Sequence, residues 1–171
     1  MMTAQARPVA PAYGSAWLSG QPGQPRPAGA GMLSLVALPT APFWARRYTR
    51  RFLDGRRDIT EETRRTAELV VSELVTNSVR FSGGGERTLP QPQPYSGRAG
   101  APLISLSLRY FRAGLLIEVY DTNNDPPVLA YARGDAENGR GLMLVGALTK
   151  EWSYFLLPDG GKVVYCFLEM S

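Results

Sequence analysis

The chain has 171 residues, of which 44% are hydrophobic and 20% charged, with a formal net charge of +4. That length suits one domain with extras, and the apolar share is enough for a packed core. The absence of histidine and the single cysteine, Cys166, exclude Ser–His and Cys–His nucleophile chemistry, a phosphoacceptor histidine and an internal disulfide, and leave zinc without its usual ligands. One cysteine fits a reducing cytoplasm. No stretch reaches the ~20 continuous apolar residues of a membrane span. The N-terminus lacks a charged-then-apolar export signal, so neither a membrane nor export is expected.

Residues Met1 to Gly31 are rich in Pro, Gly, Ala and Gln and show no apolar period. Such a composition does not bury enough surface to offset ordering entropy, and it reads as a disordered tail. The domain proper is expected over 32–171. Met32 to Leu38 alternates like a strand. Thr40 is a candidate N-cap and Pro42 sits near the first turn of a helix that runs to about Gly55. Its back is basic. The arginines Arg46, Arg47, Arg50, Arg51, Arg56, Arg57, Arg64 and Arg65 read as a solvated face or as a surface for an acidic partner. No stacking aromatics interleave with them in a nucleic-acid module, so direct nucleic-acid binding is not expected.

A second helix starts at Asp58-Ile-Thr60 and ends at Phe81-Ser-Gly-Gly-Gly85. A Gly/Pro/Gln-rich segment follows, about 83–102, and reads as a flexible insertion. Leu103 to Phe111 and Gly114 to Asp121 form a hairpin about Arg112-Ala113. The turn-rich Thr122 to Pro127 leads into an irregular stretch to Asn138. Gly139 to Leu148 opens with glycines and becomes an apolar helix. Lys150 to Leu157 and Lys162 to Glu169, joined by Pro158-Asp-Gly-Gly161, make a last hairpin. This order predicts an α+β fold: a two-layer sandwich with a mixed, mostly antiparallel sheet and its helices on one face.

The second helix separates into two faces. Ala67, Val71, Leu74, Val75 and Ser78 recur at the spacing of a buried stripe. Glu73, Asn77 and Arg80 stack on the other side at intervals of four and three residues. Such a column is either a solvated face or one wall of a metal–nucleotide site. There a carboxylate takes a proton, a carboxamide oxygen ligates a hard cation and a guanidinium meets phosphate. Asp121 is either a turn-initiating residue or an acceptor for an exocyclic amine such as adenine's. Gly139-Arg-Gly-Leu142 stands at a helix start, where free N–H groups favour anions. It is neither a Walker loop nor a Rossmann fingerprint.

Taken in order, Glu73-Leu-Val-Thr-Asn77, Asp121 with Pro126-Pro127-Val128, and Gly139-Arg-Gly-Leu-Met-Leu-Val145 with Trp152 resemble the Bergerat-fold, histidine-kinase-like ATPases. The nearest resemblance is to the actinobacterial anti-sigma-factor serine/threonine kinases, over roughly Leu33 to Glu169. The resemblance implies a protein kinase that uses ATP and Mg²⁺, phosphorylates an anti-anti-sigma protein and regulates a sigma factor. It implies Glu73 as general base and Asn77 as the Mg²⁺ ligand. It further implies Asp121 on the adenine amine, Gly139, Gly141 and Leu142 along the triphosphate, and Thr122 to Asn138 as a lid; phosphoryl transfer also needs charge neutralisation, for which Arg80 or Arg140 are the candidates. A homodimer is common among such relatives, and the first strand and helix are its candidate seam. Three departures stand out. The Asp-x-Gly-x-Gly box reads Asp121-Thr-Asn-Asn-Asp125, Phe81 replaces a frequent His, and Val163 stands where a Thr is common. They bear on catalysis more than on binding. The alternative function is therefore a non-catalytic, ATP-binding, partner-docking module.

Overall fold

The computed structural model describes residues 25–84, 102–127 and 140–170. In chain order the elements are β1 (Gly29–Val36), α1 (Ala41–Leu53), α2 (Glu61–Val79), β2 (Leu103–Phe111), β3 (Gly114–Asp121), α3 (Arg140–Leu148), β4 (Glu151–Leu156) and β5 (Lys162–Glu169). A π turn, Arg80–Gly84, extends α2. The expected insertion lies outside the described residues except for its ends.

The strands form one sheet in the order β1-β2-β3-β5-β4. All four pairings among the described residues are antiparallel, so the expected mixture of directions is not found. The reason lies in the last hairpin. β4 runs in the same direction as β3, but β5 turns back at Pro158–Gly161 and inserts between them.

Strand alternation builds the two layers. Ile104, Leu106 and Leu108 of β2, Leu115, Ile117 and Val119 of β3, and Val164, Cys166 and Leu168 of β5 join the core beneath the helices. The helices contribute Ala45 and Leu53, then Ala67, Val70, Val71, Leu74 and Val75, then Leu142 and Val145. The expected stripe of α2 is buried throughout, including Ser78. Burial also pushes up the pKa of the Cys166 thiol, which keeps it protonated at neutral pH. On the opposite face of the sheet, Phe111, Leu116 and Tyr165 make a smaller apolar cluster with Phe155 and Phe167.

β1 begins at Gly29, so the last three residues of the expected tail belong to the sheet. Gly29 pairs with Tyr110 and Gly31 with Leu108. Side chains at 29 and 31 would run into Arg56 and into Tyr48 and Phe52, which pack over the strand. These residues supply the apolar cover that the glycines lack.

Thr40 takes the N-cap position of α1 but makes no side-chain cap bond, because it is itself helical in conformation. Thr60 does cap α2. Its hydroxyl accepts from the Thr63 N–H at 3.1 Å. Much of the arginine run is used internally. Arg46 donates to Ser72 at 2.7 Å. Arg50 meets Glu61 and Glu68, and Arg64 donates to the Arg56 carbonyl. Arg56 lies over the Phe52 and Tyr110 rings. These arginines bind α1 to α2 and the α1–α2 loop to β2, a role that sequence clustering alone does not reveal.

Glu118 of β3 is buried on the open face of the sheet beside Arg109 and Ser107. Burial raises its pKa, and Arg109 and Ser107 oppose that rise in part. A raised folded-state pKa contributes stability below the unfolded pKa that is lost as pH rises through the folded one. Relative to Glu118→Gln, the native melting temperature is therefore expected to fall as pH rises above the ordinary carboxylate range. Parallel thermal scans of the two chains check this, and a difference that stays flat with pH refutes it.

Candidate functional site

A cleft opens where β3 ends and β5 begins, under the C-terminal half of α2. It is lined by residues of α2, the π turn, the 121–127 segment and β5. Leu74, Ser78 and Val164 give its apolar side, continuous with the core.

Its floor is an ion pair. Asp121 and Lys162 are register partners, so their side chains emerge on the same face. Lys162 Nζ donates to Asp121 Oδ1 at 2.7 Å, and the two side chains are 4% and 1% exposed. Lys162 also donates to the Asn123 carbonyl at 3.2 Å. Asp121 Oδ1 accepts a further bond from the Asn123 N–H at 3.0 Å. Asp121 Oδ2 is buried and has no partner among the described residues. A buried carboxylate oxygen without a donor is costly, so this atom marks where a ligand's N–H group would be received.

The turn beyond Asp121 is held by side chains. Asn123 Oδ1 accepts from the Asp125 N–H at 2.9 Å, and Asn123 Nδ2 donates to the Phe81 carbonyl at 3.0 Å. Asn124 Oδ1 accepts from the Gly161 N–H at 2.6 Å. No non-glycine residue among those described has positive φ, so Asn123 and Asp125 replace glycines without strain. Gly161 is different. Its φ is 86°, and a Cβ there would sit 2.5 Å from the Asp121 carbonyl oxygen. Only glycine lets the β4–β5 turn approach the floor this closely.

The other sequence-predicted residues separate. Asn77 is half-buried and lines the cleft. Glu73, one turn earlier and also half-buried, meets the first turn of α3 instead. A Cβ at Gly141 would lie 2.5 Å from Glu73 Oε2, so glycine at 141 makes room for the carboxylate. Arg80 is exposed at the C-cap of α2, where winding changes to the π turn, and it does not line the cleft. The Leu142 side chain is 2% exposed in the core, so only its backbone is free to act at the helix start. Gly139, the Arg140 side chain and residues 128–138 of the expected lid lie outside the described residues.

Val163 does not face the cleft. It pairs with Tyr120 and Phe155, and strand alternation turns its side chain away, so a hydroxyl there would not reach the floor. The cleft-facing position is Lys162, which sequence reasoning missed. A signal was present: a lysine at a core-facing parity in Lys-Val-Val-Tyr-Cys-Phe must be paired. Phe81, Asn123 and Asn124 were missed as well, because their bonds join segments distant in sequence. Among the described residues no cluster of three carboxylate or cysteine ligands could hold a metal. No helix of the described residues is long and apolar enough to cross a membrane.

The sequence profile of the histidine kinase-like ATPase domain matches residues 36–167. The match runs from the end of β1 into β5 and includes the Asp121–Lys162 floor, Asn77, Glu73 and the start of α3. A search of curated proteins finds no match. With more than half of its length matched, the chain belongs to the histidine kinase-like ATPase domain family.

Proposed function

We propose that this ATPase-family domain binds Mg²⁺-ATP in the cleft and acts as a protein serine/threonine kinase of the anti-sigma type. Its protein substrate is then an anti-anti-sigma partner, and its second partner a sigma factor. The observation that carries nucleotide binding is the orphaned, buried Asp121 Oδ2 on the cleft floor, a ready acceptor for an exocyclic amine. The finer reading rests on the order of the three motifs along the chain.

Bound Mg²⁺-ATP supplies the phosphoryl group and the cation that neutralises its charge. The carboxamide oxygen of Asn77, which lines the cleft, would hold that cation. Among the described residues no cluster of three carboxylates stands by, so phosphate and water would supply the rest of that cation's shell, as is usual for Mg²⁺. Free N–H groups of the first turn of α3 face the anionic end. Glu73 takes the proton of the incoming hydroxyl as general base, and Gly141 holds open the space its carboxylate uses. One observation favours the alternative, an ATP-shaped docking module without transfer. Glu73 stands against α3 and is not among the cleft-lining residues.

Three measurements separate these readings. Saturating Mg²⁺-ATP, at about 100 times its dissociation constant, is expected to stabilise the native chain by about 2.7 kcal/mol. That corresponds to roughly 5–10 °C in melting temperature. The shift is expected to need magnesium and to vanish in Asn77→Ala, and a native chain that shows none defeats the nucleotide reading. Glu73→Ala is expected to keep the shift but lose at least about a hundredfold in phosphate transfer to a serine-bearing partner. Transfer that survives removes Glu73 as the base. Gly141→Ala, which crowds the carboxylate, is expected to reduce transfer in the same assay while the shift persists. Equal transfer by both chains would show that the gap at Gly141 is unimportant.

A further inference from the structure

We infer that Lys162 reads the purine ring together with Asp121, so that the cleft accepts 6-oxopurine nucleotides, those of guanine and hypoxanthine, as well as adenine nucleotides. The inference deepens the nucleotide-binding reading above and rests on it.

The two classes of purine present opposite edges. Adenine offers a donor at its 6-amine and an acceptor at N1. A 6-oxopurine offers an acceptor at O6 and a donor at N1–H. A floor made of a carboxylate alone accepts from the adenine amine and repels O6. The floor here is a carboxylate and an ammonium side by side, 2.7 Å apart. Asp121 Oδ2 is buried and unpartnered. Lys162 carries three donors, and two are engaged, by Asp121 Oδ1 and by the Asn123 carbonyl. Among the described residues the floor therefore has one acceptor and one ammonium proton without a partner, and both residues line the cleft.

Either purine edge is satisfied by that pair, each in its own pose, because donor and acceptor stand in opposite order on the two edges and the base turns over between them. With adenine, the 6-amine donates to Oδ2 and N1 accepts from the ammonium. With a 6-oxopurine, N1–H donates to Oδ2 and O6 accepts from the ammonium. Lys162 is the one cationic side chain among the described residues that line the cleft, so no other ammonium or guanidinium there substitutes for it. The pair is also neutral as a unit, so a neutral base meets no net charge on the floor.

The test is the dissociation constant of the magnesium complexes of ATP, GTP, ITP and 2-aminopurine riboside triphosphate, measured on the full chain by titration calorimetry. GTP and ITP are expected within about tenfold of ATP. The 2-aminopurine compound, which lacks both the 6-oxygen and the N1–H donor, is expected to bind about tenfold or more weakly than GTP, the scale of a hydrogen bond to a charged group. Lys162→Met, with folding checked by near-ultraviolet circular dichroism, is expected to weaken GTP by at least about tenfold and ATP by less. Should that variant not fold, the native comparison of GTP with the 2-aminopurine compound decides. GTP and ITP both bound more than about a hundredfold more weakly than ATP would overturn the inference and leave the nucleotide reading standing. So would equal binding of GTP and the 2-aminopurine compound, or unchanged GTP binding in a folded Lys162→Met. A chain that binds none of the four overturns both.

Discussion

The arrangement of the site depends on one buried ion pair. Asp121 ends β3 and Lys162 begins β5, and each is almost wholly withdrawn from water. Desolvating two charges is expensive, and mutual attraction offsets it only where geometry and further hydrogen bonds are good. Here Oδ1 has two donors and Nζ two acceptors, yet Oδ2 has none among the described residues. Removing one partner of such a pair typically costs about 3–5 kcal/mol, whereas replacing both with apolar residues is often neutral. Stability alone therefore does not require these residues. An apolar pair at the same register would knit β3 to β5 as well, but it would leave the cleft without polar groups.

α2 converts the sheet into a site. Its inner stripe is fixed by packing on β2 and β3, which sets the rotation of the whole helix. Once Val71, Leu74, Val75 and Ser78 point inward, Asn77 has only the cleft edge to occupy, and Glu73 is directed toward α3. The column of Glu73, Asn77 and Arg80 is real as helical geometry but divides functionally. One residue faces α3, one the cleft and one solvent. The π turn at Arg80–Gly84 carries this division further. By changing the winding after α2 it brings Phe81 to the cleft and presents its carbonyl to Asn123, while Arg80 stays outside. π segments in other proteins are often found at functional positions for this reason.

Local pattern made much of this legible before any coordinates. The inward stripe of α2, the two hairpins and the turn at Arg112-Ala113 are periodicity and turn chemistry, which the sequence carries directly. What escaped was set by neighbours far along the chain. β1 extends to Gly29 because residues of α1 and the following loop cover it. The arginine run resembled a surface until α1 met α2. The strand pairings among the described residues are all antiparallel because β5 inserts between β3 and β4, a choice of pairing that strand sequences do not encode one by one. A hydroxyl at 163, where a Thr is common in the resembled family, would not reach the site, because in a strand one residue exchanges the two faces. Counting parity from the core residues Val164 and Cys166 places Lys162 inside and Val163 outside.

The missing glycines of the Asp121–Asp125 box are replaced by side-chain hydrogen bonds. Where the motif has glycine, this chain has Asn123 and Asp125, and the backbone there stays in ordinary negative-φ conformations. Two consecutive side-chain-to-backbone turns, Asp121 to Asn123 and Asn123 to Asp125, set the path that glycine would otherwise leave free. Asn124 then ties that path to Gly161, and Asn123 ties it to the end of α2. The floor is thus fixed from three directions before anything binds. Pre-organisation of this kind lowers the entropy lost on binding, and it also removes the freedom to adjust to a poorly matched base. A floor that cannot move discriminates by the donors and acceptors it already presents, which here are one free carboxylate oxygen and one ammonium.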